Sequence, residues 1–473
     1  VQDTVFYQIF PDRFSRSQLQ TPTWQSNHLQ PWHSPPTYEG YKGGNFAGMI
    51  EKLNYLQDLG INAIYLNPIF QSGSNHRYHT HDYYQVDPLL GGNQAFLDFL
   101  EAAHRRNIKV VLDGVFNHAS RGFFFFHDIL ENGANSAWVD WFRVEKFPLA
   151  PYDGEKPANY VGWFDMRALP QFNHDNPEVK EYIMQIAEYW LKQGIDGWRL
   201  DVPLDVKTPG FWQEFRQRVK AINPEAYIVA EIWEDASDWL DGNSFDAVMN
   251  YLFAVPTIAF TAKERVERSL LSSPSYQPYP ELNAQEYGEK ISALLDLYPR
   301  EIQLAQFNLL DSHDTARLLT LAGGDKATVE LATLLLLTFP GAPCIYYGNE
   351  VGLPGGRDPD CRRGFPPESD WHQPTLNYHK KLIALRHQYP ALRTGEYKIL
   401  STEGELYVFA RILGEETLLV GVNTGTNSAK ATVNADGHFS LIYGSAEVSY
   451  PTEDKQLLEL KLPPRTGCIL VQK

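Results

Sequence analysis

Short apolar runs alternate along this chain with longer stretches whose apolar positions recur every three or four residues. A strand turns successive side chains to opposite faces, and a helix returns to one face about every 3.6 residues. The alternation therefore predicts strands and helices in turn, which is the pattern of a parallel α/β sheet. Residues 5–10 read as the first strand. Phe46, Ile50, Leu53 and Leu56 lie at helical spacing, and Gly60 ends that helix in the left-handed conformation that glycine tolerates. Residues 61–66 form the second strand. Phe96, Phe99, Leu100 and Ala103 mark the next helix, with Asn107 as its cap, and residues 110–112 form the third strand. Residues 179–191 are helical, Gly194 follows, and the fourth strand lies around residues 197–200. Residues 227–230, 247–249, 307–310 and 344–347 supply strands five to eight. Eight such units predict a closed α/β (β/α)₈ barrel rather than an open sheet.

The rhythm breaks in three places. Residues 118–173 are irregular and aromatic, too long for a simple loop, and read as an inserted domain B after strand three. Residues 272–288 carry three Pro and read as a shorter surface insertion. From Gly395 the period becomes two, in Leu406–Val408–Ala410, Leu418–Val420–Val422 and Leu458–Leu460–Leu462. That predicts a separate antiparallel β-sandwich over residues 395–473. The barrel then comprises residues 1–117 and 174–394. A length of 473 residues suits this division, since single cores stop growing at roughly 250–300 residues.

Composition narrows the partners. The net charge of −17 argues against nucleic acid or anionic lipid, whereas a neutral sugar meets no charge penalty. Aromatic residues make up 13% of the chain; they build cores and can also stack on sugar C–H faces. Three cysteines are too few for a disulfide framework and suit a reducing compartment. No basic leader opens the chain and no run of 18 apolar residues exists, so a cytoplasmic, membrane-free protein is expected.

Acidic residues stand at the C-terminal ends of the predicted strands, where barrel active sites form. Asp113 follows strand three, Asp201 strand four and Glu231 strand five, and His313-Asp314 follows strand seven. A lone Asp after a strand is ordinarily a cap or turn residue; four strands carrying such a residue point to chemistry. Retaining glycoside hydrolysis needs an ionised carboxylate to attack and a protonated carboxyl to donate, about 5–5.5 Å apart. Neighbouring strands four and five can supply that spacing. Arg199, two residues before Asp201, shares its face and is expected to keep that carboxylate ionised.

The motifs resemble the α-amylase family, glycoside hydrolase family 13. Asp113-Gly114-Val115-Phe116-Asn117-His118, Gly197-Trp198-Arg199-Leu200-Asp201-Val202, Glu231-Ile232-Trp233-Glu234 and Leu310-Asp311-Ser312-His313-Asp314 resemble its four signatures, in order. The resemblance implies Asp201 as nucleophile, Glu231 as acid/base and Asp314 as transition-state stabiliser. It implies that Arg199 pairs with the nucleophile, that His118 and His313 bond the glucose at the cleavage subsite, and that Tyr78 stacks there. Asp113 would support the site structurally. Asp358 and Arg362 match the pair that grips the next glucose, although as residues alone they also fit a surface ion pair. Trp233 and Glu234 follow the acid/base, within reach of the leaving sugar, though Trp233 fits a core position equally. The run Phe123–Phe126 is read as domain B core rather than a sugar platform.

Within the family, Val5-Phe6-Tyr7-Gln8-Ile9-Phe10-Pro11-Asp12-Arg13-Phe14 and Phe245-Asp246-Ala247-Val248-Met249-Asn250-Tyr251 resemble the cyclomaltodextrinase and neopullulanase group, and especially its short, cyanobacterial-type debranching members. The group's N-terminal β-domain is not expected here, so any homodimer would have to form without it. Val202-Pro203-Leu204-Asp205, Glu234 and residues 166–173 depart from the group and leave bond preference open. The implied activity is hydrolysis of α-1,4 or α-1,6 bonds in maltodextrins, cyclodextrins, pullulan or branched glucans. A 4-α-glucanotransferase using the same carboxylates is the alternative, and a non-catalytic barrel subunit a remote one. No organic cofactor or catalytic metal is expected. Structural calcium is weakly supported, because Pro203-Leu204 stands where an amylase-type site wants Lys-His and residues 15–20 replace the group's acidic loop.

Overall fold

The computed structural model describes residues 1–17, 28–271, 280–451 and 456–473. Parts of two segments singled out above, 18–20 and 272–279, lie outside the described residues. Eight parallel strands close into a barrel. They are β1 (Phe6–Ile9), β2 (Ala63–Leu66), β3 (Lys109–Gly114), β4 (Gly197–Leu200), β5 (Tyr227–Ala230), β6 (Ala247–Asn250), β7 (Phe307–Asn308) and β8 (Ala342–Tyr346). Phe6 on β1 pairs with Ala63 on β2 and Cys344 on β8, which closes the ring. Side chains such as Phe6, Tyr65, Val111, Val229, Met249 and Phe307 fill the interior, so the barrel is a packed core and not a pore.

The helices follow the apolar spacing. Helix α1 (Phe46–Leu59) is capped by Asn45, whose side chain accepts from the Gly48 amide, and ends at Gly60 with φ of 94°. A Cβ at Gly60 would stand 2.6 Å from Ile383, so position and conformation both require glycine there. Helix α2 (Gly92–His104) ends earlier than expected. Arg105 is its cap, and Asn107 instead takes the left-handed turn at φ 56° that leads into β3. Helix α3 (Pro177–Gln193) precedes β4. β7 is shorter than the sequence suggests, ending at Asn308 opposite Pro343, which has no N–H to extend a ladder. Leu309 still packs into the barrel interior, and the chain then carries His313 and Asp314 to the cavity at the barrel mouth.

Residues 118–172 are held by isolated bridges, His118 to Gln171, Phe142 to Phe172, Val144 to Tyr160 and Gly162 to Pro170, around an aromatic cluster. Phe123, Phe126, Phe142 and Phe172 are buried in it, whereas Phe124 is exposed. The Phe123–Phe126 run is thus mainly core.

Beyond the barrel, a five-stranded and a three-stranded antiparallel sheet face each other. Leu406, Val408, Ala410, Leu458, Leu460 and Leu462 meet between the sheets. Leu418, Val420 and Val422 do not: they join Tyr407 and Phe409 in the core shared with the barrel helices, and Leu419 points between the sheets instead. This strand of the sandwich thus turns one face to the partner sheet and the other to the barrel helices. Alternation fixed the two faces of this strand, but both faces are buried, so the apolar set could not say which one met which neighbour.

Candidate active site

Register brings the acids together. Asp113 pairs with Arg199 across β3 and β4, and Arg199 with Val229 across β4 and β5. Beyond the strands the ladder continues: the Asp201 amide donates to the Gly114 carbonyl and the Glu231 amide to the Leu200 carbonyl. Gly197 allows this closeness, since a Cβ there would stand 2.2 Å from the Tyr227 carbonyl oxygen.

The buried Arg199 guanidinium is the hub. One terminal nitrogen lies 2.9 Å from both Asp113 Oδ1 and Asp201 Oδ1, and the other 3.0 Å from Glu231 Oε2. Asp201 is thus hydrogen-bonded to one prong of the guanidinium and Glu231 lies in ion-pair contact with the other, which keeps the two carboxyls close together as a retaining mechanism needs. Glu231 is fixed further by the Val202 amide, which donates to Oε2 at 3.2 Å, and by the Trp233 indole, which donates to Oε1 at 3.2 Å. Val202 adopts φ 36°, ψ 51°. That left-handed conformation is strained for a β-branched residue and turns its amide onto the second carboxylate.

Arg199 counters burial at Asp201 without overcoming it. Burial, with the nearby Glu231 and Asp113 charges, pushes the Asp201 carboxyl well above the ordinary carboxylate range, and Arg199 only opposes the rise. Arg199 favours the ionised Asp201, as expected, but its one positive charge is divided among three acids and does not offset the burial.

Tyr78 is half-buried at the cavity wall, its ring stacked on His313 at 5.5 Å and its hydroxyl donating to Asp113 Oδ2 at 2.9 Å. His313 Nε2 lies 3.1 Å from Asp314 Oδ2. His118 is buried against Trp163, 5.2 Å between rings, and burial lowers it to about 3, so it is neutral. Arg362 pairs with Asp358 at 3.0 Å and approaches Asp314 at 3.4 Å, so this is a cavity-wall pair and not a loose surface one. Trp233 stacks on Tyr251 with ring centroids 3.6 Å apart, and Glu234 is exposed.

Two cavities meet at Glu231. One of about 550 Å³ is lined by Tyr78, His118, Asp201, His313, Asp314 and Arg362. The other, about 930 Å³, lies beyond Glu231 and is lined by Trp233, Glu234, Tyr251, Leu252 and Val255. Phe164 and Val202 border both. Tyr78, His118, Asp201, Glu231, Trp233, His313, Asp314, Asp358 and Arg362 line the first cavity, Glu234 lines only the second, and Arg199 and Asp113 lie buried beneath.

Sequence reasoning missed Gln8, Asn67, Tyr38, Trp163 and Phe164. Trp163 donates from its indole to Asp205 Oδ2 at 2.8 Å, clasping the inserted segment to the loop after β4. Phe164 is 78% exposed at φ 48°, an unusual cost for a bulky residue. Tyr38 reaches the first cavity from the long connection after β1. The aromatic pair in Gly162-Trp163-Phe164-Asp165 and the polar Gln8 within an apolar strand offered a signal. Among the described residues, no group of three or more His, Cys, Asp or Glu is placed to hold a metal ion.

Residues 8–365 match the model of the alpha amylase catalytic domain, and residues 395–470 that of the alpha-amylase C-terminal domain. The chain belongs to the α-amylase family. Within that family it is 40% identical to a cyclomaltodextrinase of Geobacillus thermopakistaniensis over 98% of this chain and 76% of that protein. It is 40% identical to neopullulanase 2 of Thermoactinomyces vulgaris over 91% of this chain and 71% of that protein. Among solved structures, a debranching enzyme from Nostoc punctiforme shares 64% identity with this family member, with a TM-score of 0.93, covering 99% of this chain and 98% of that one.

Proposed function

We propose that this chain is a retaining α-glucan hydrolase acting at α-1,4 and α-1,6 bonds of maltodextrins, cyclodextrins, pullulan or branched glucans. The single observation that carries the chemistry is the Arg199 fork holding Asp201 and Glu231 on neighbouring strand ends. Asp201 attacks the anomeric carbon while Glu231 gives its proton to the leaving glycosidic oxygen. The glycosyl ester then meets a water from which Glu231 takes a proton, and sugar and Asp201 separate. Asp314 faces the developing positive charge, and His118, His313 and Tyr78 hold the ring in place. No metal or organic cofactor takes part.

The leaving side supports a bulky aglycone. The cavity of about 930 Å³ beyond Glu231 has an aromatic and aliphatic lining suited to sugar faces. A debranching enzyme's name at 64% identity favours cleavage at branches. The three buried cysteines remain thiols, which fits the cytoplasm. No helix among the described residues is long and apolar enough to cross a membrane.

Product analysis tests the reading. Proton NMR at early times is expected to show the α-anomer, and a β-anomer would overturn the double displacement. From pullulan, panose reports α-1,4 cleavage and maltotriose α-1,6 cleavage. Absence of both, and of glucose or maltose from β-cyclodextrin, would remove the α-glucan assignment. Phe164, strained and exposed between the cavities, is read as a leaving-side platform. Phe164→Ala is expected to raise KM for branched substrates by up to about tenfold, the value of one aromatic contact, with kcat little changed.

A further inference from the structure

Gln8 lies on β1, fully buried, in a run otherwise apolar. A polar side chain buried so deeply requires partners. Its amide nitrogen lies 3.0 Å from Asn67 Oδ1 and 2.9 Å from His313 Nδ1. Neither an amide's orientation nor a histidine's tautomer is visible without hydrogens, so each must follow from the network.

The network has one fixed end. Tyr65 and Tyr78 direct their hydroxyls at Asp113 Oδ2, at 2.6 and 2.9 Å, and Arg199 donates to Asp113 Oδ1. Both phenols keep their protons, because burial raises them well above the ordinary value. Tyr65 gives its one proton to Asp113 at 2.6 Å and so presents only lone pairs to Asn67, whereas the Tyr78 hydroxyl stands 2.9 Å from Asp113 Oδ2 and 2.7 Å from His313 Nε2 and takes its direction from the rest of the network. Asn67 faces both oxygens, at 3.3 and 3.1 Å, and must present its NH₂. Its carbonyl oxygen then faces Gln8, which must present its own NH₂ in turn. The second amide proton of Gln8 points at His313 Nδ1, which must accept.

We infer that Gln8, through Asn67, Tyr65, Tyr78 and Asp113, fixes His313 as the Nε2–H tautomer. The Nε2–H then lies 2.7 Å from the Tyr78 oxygen, which still has a lone pair, and 3.1 Å from Asp314 Oδ2. Burial, with the charges of Arg362 and Arg199, lowers His313 well below its ordinary value, so no second proton arrives from solvent to serve instead. Charged and titratable groups around the ring include Tyr78, His76, Asp314, Arg362 and Arg199: burial and the two arginines favour the neutral ring, and the Tyr78 oxygen and the Asp314 carboxylate accept from its Nε2–H. Gln8 is a positioning residue: it touches no substrate and acts through His313. Its consequence for rate rests on the proposed role of Asp314.

The test reads the tautomer directly. Protein labelled with ¹⁵N-histidine is examined by long-range ¹H–¹⁵N correlation, with His313 assigned by its loss in His313→Asn. Wild type is expected to show the Nε2–H pattern at His313, and an Nδ1–H pattern would overturn the inference whether or not any Gln8 variant folds. Gln8→Glu, nearly isosteric and only an acceptor when ionised, is expected to move the proton to Nδ1 and to lower kcat/KM about 10²-fold, the typical cost of one active-site donor. Gln8→Met, which imposes neither tautomer, is expected to lose less. A purely structural role predicts equal losses in the two variants, both tracking melting temperature. A moved proton with unchanged kcat/KM would overturn the functional half. Failure of the retaining reading would show separately, as β-anomeric product from wild type.

Discussion

Asp201→Asn is expected to lose at least about 10⁴-fold in turnover and to melt at a higher temperature than the parent. In the proposed mechanism the loss follows from removing the attacking oxygen, since an amide is not nucleophilic enough to form the glycosyl ester. The gain follows from electrostatics. The Asp201 carboxyl is raised well above the ordinary range by burial, so the folded chain holds a proton that the unfolded chain has released. Stability therefore falls as pH rises from about 4, the ordinary Asp value, through the folded value, and at neutral pH the ionised group is a cost. Asparagine removes that cost, with an expected gain of about 1 kcal/mol at pH 7 that vanishes below about pH 4. Calorimetry of both proteins at pH 7 and at low pH checks it, and equal melting at every pH would refute the direction assigned to Asp201. The same raised carboxyl sets an acid limb on wild-type kcat/KM, lost as pH falls through a value above the ordinary carboxylate range.

Arg199→Met is expected to destabilise the fold by about 3–5 kcal/mol at pH 7, because it strips the cation from three carboxylates in one buried cluster. The pH dependence identifies the cause. Without the guanidinium, Asp113 and Asp201 rise further above their unfolded values, so the folded state takes up more protons than before. The deficit should shrink as pH falls towards the ordinary carboxylate range, where the acids become neutral. A loss of packing alone would be independent of pH. Urea unfolding at pH 7 and at pH 4.5 separates the two. Arg199→Lys should fall between, because a single ammonium keeps the charge but cannot fork across β4 and β5.

The strand assignments were legible because barrel strands are apolar runs bounded by glycine and acid; residues 197–200 and 227–230 match β4 and β5 as read. The acids were legible because the fold places strand ends at one mouth, so position along the chain stands for position in space. Three things were not. Leu418, Val420 and Val422 sit in a strand buried on both faces, where period two loses its meaning. Phe164 owes its exposure to a left-handed turn, and nothing in its own residue type announces that conformation. Gln8 left a trace, a polar residue within an apolar strand, but its partners lie 59 and 305 positions away. The inserted segment was visible only as a break in rhythm, since aromatic packing rather than periodic pairing holds it.

The division of Arg199 among three acids also shapes how such a protein would decay. Once selection for turnover is relaxed, shedding Asp201 is favourable for folding, whereas shedding Arg199 is ruinous. Asp113 and Arg199, paired at 2.9 Å with two phenols closing the acid's other oxygen, remain a matched unit without the nucleophile. Lineages that abandon catalysis should therefore lose the nucleophile early and keep the Asp–Arg pair as a fossil, and the pair alone would be poor testimony that a descendant still cuts sugar.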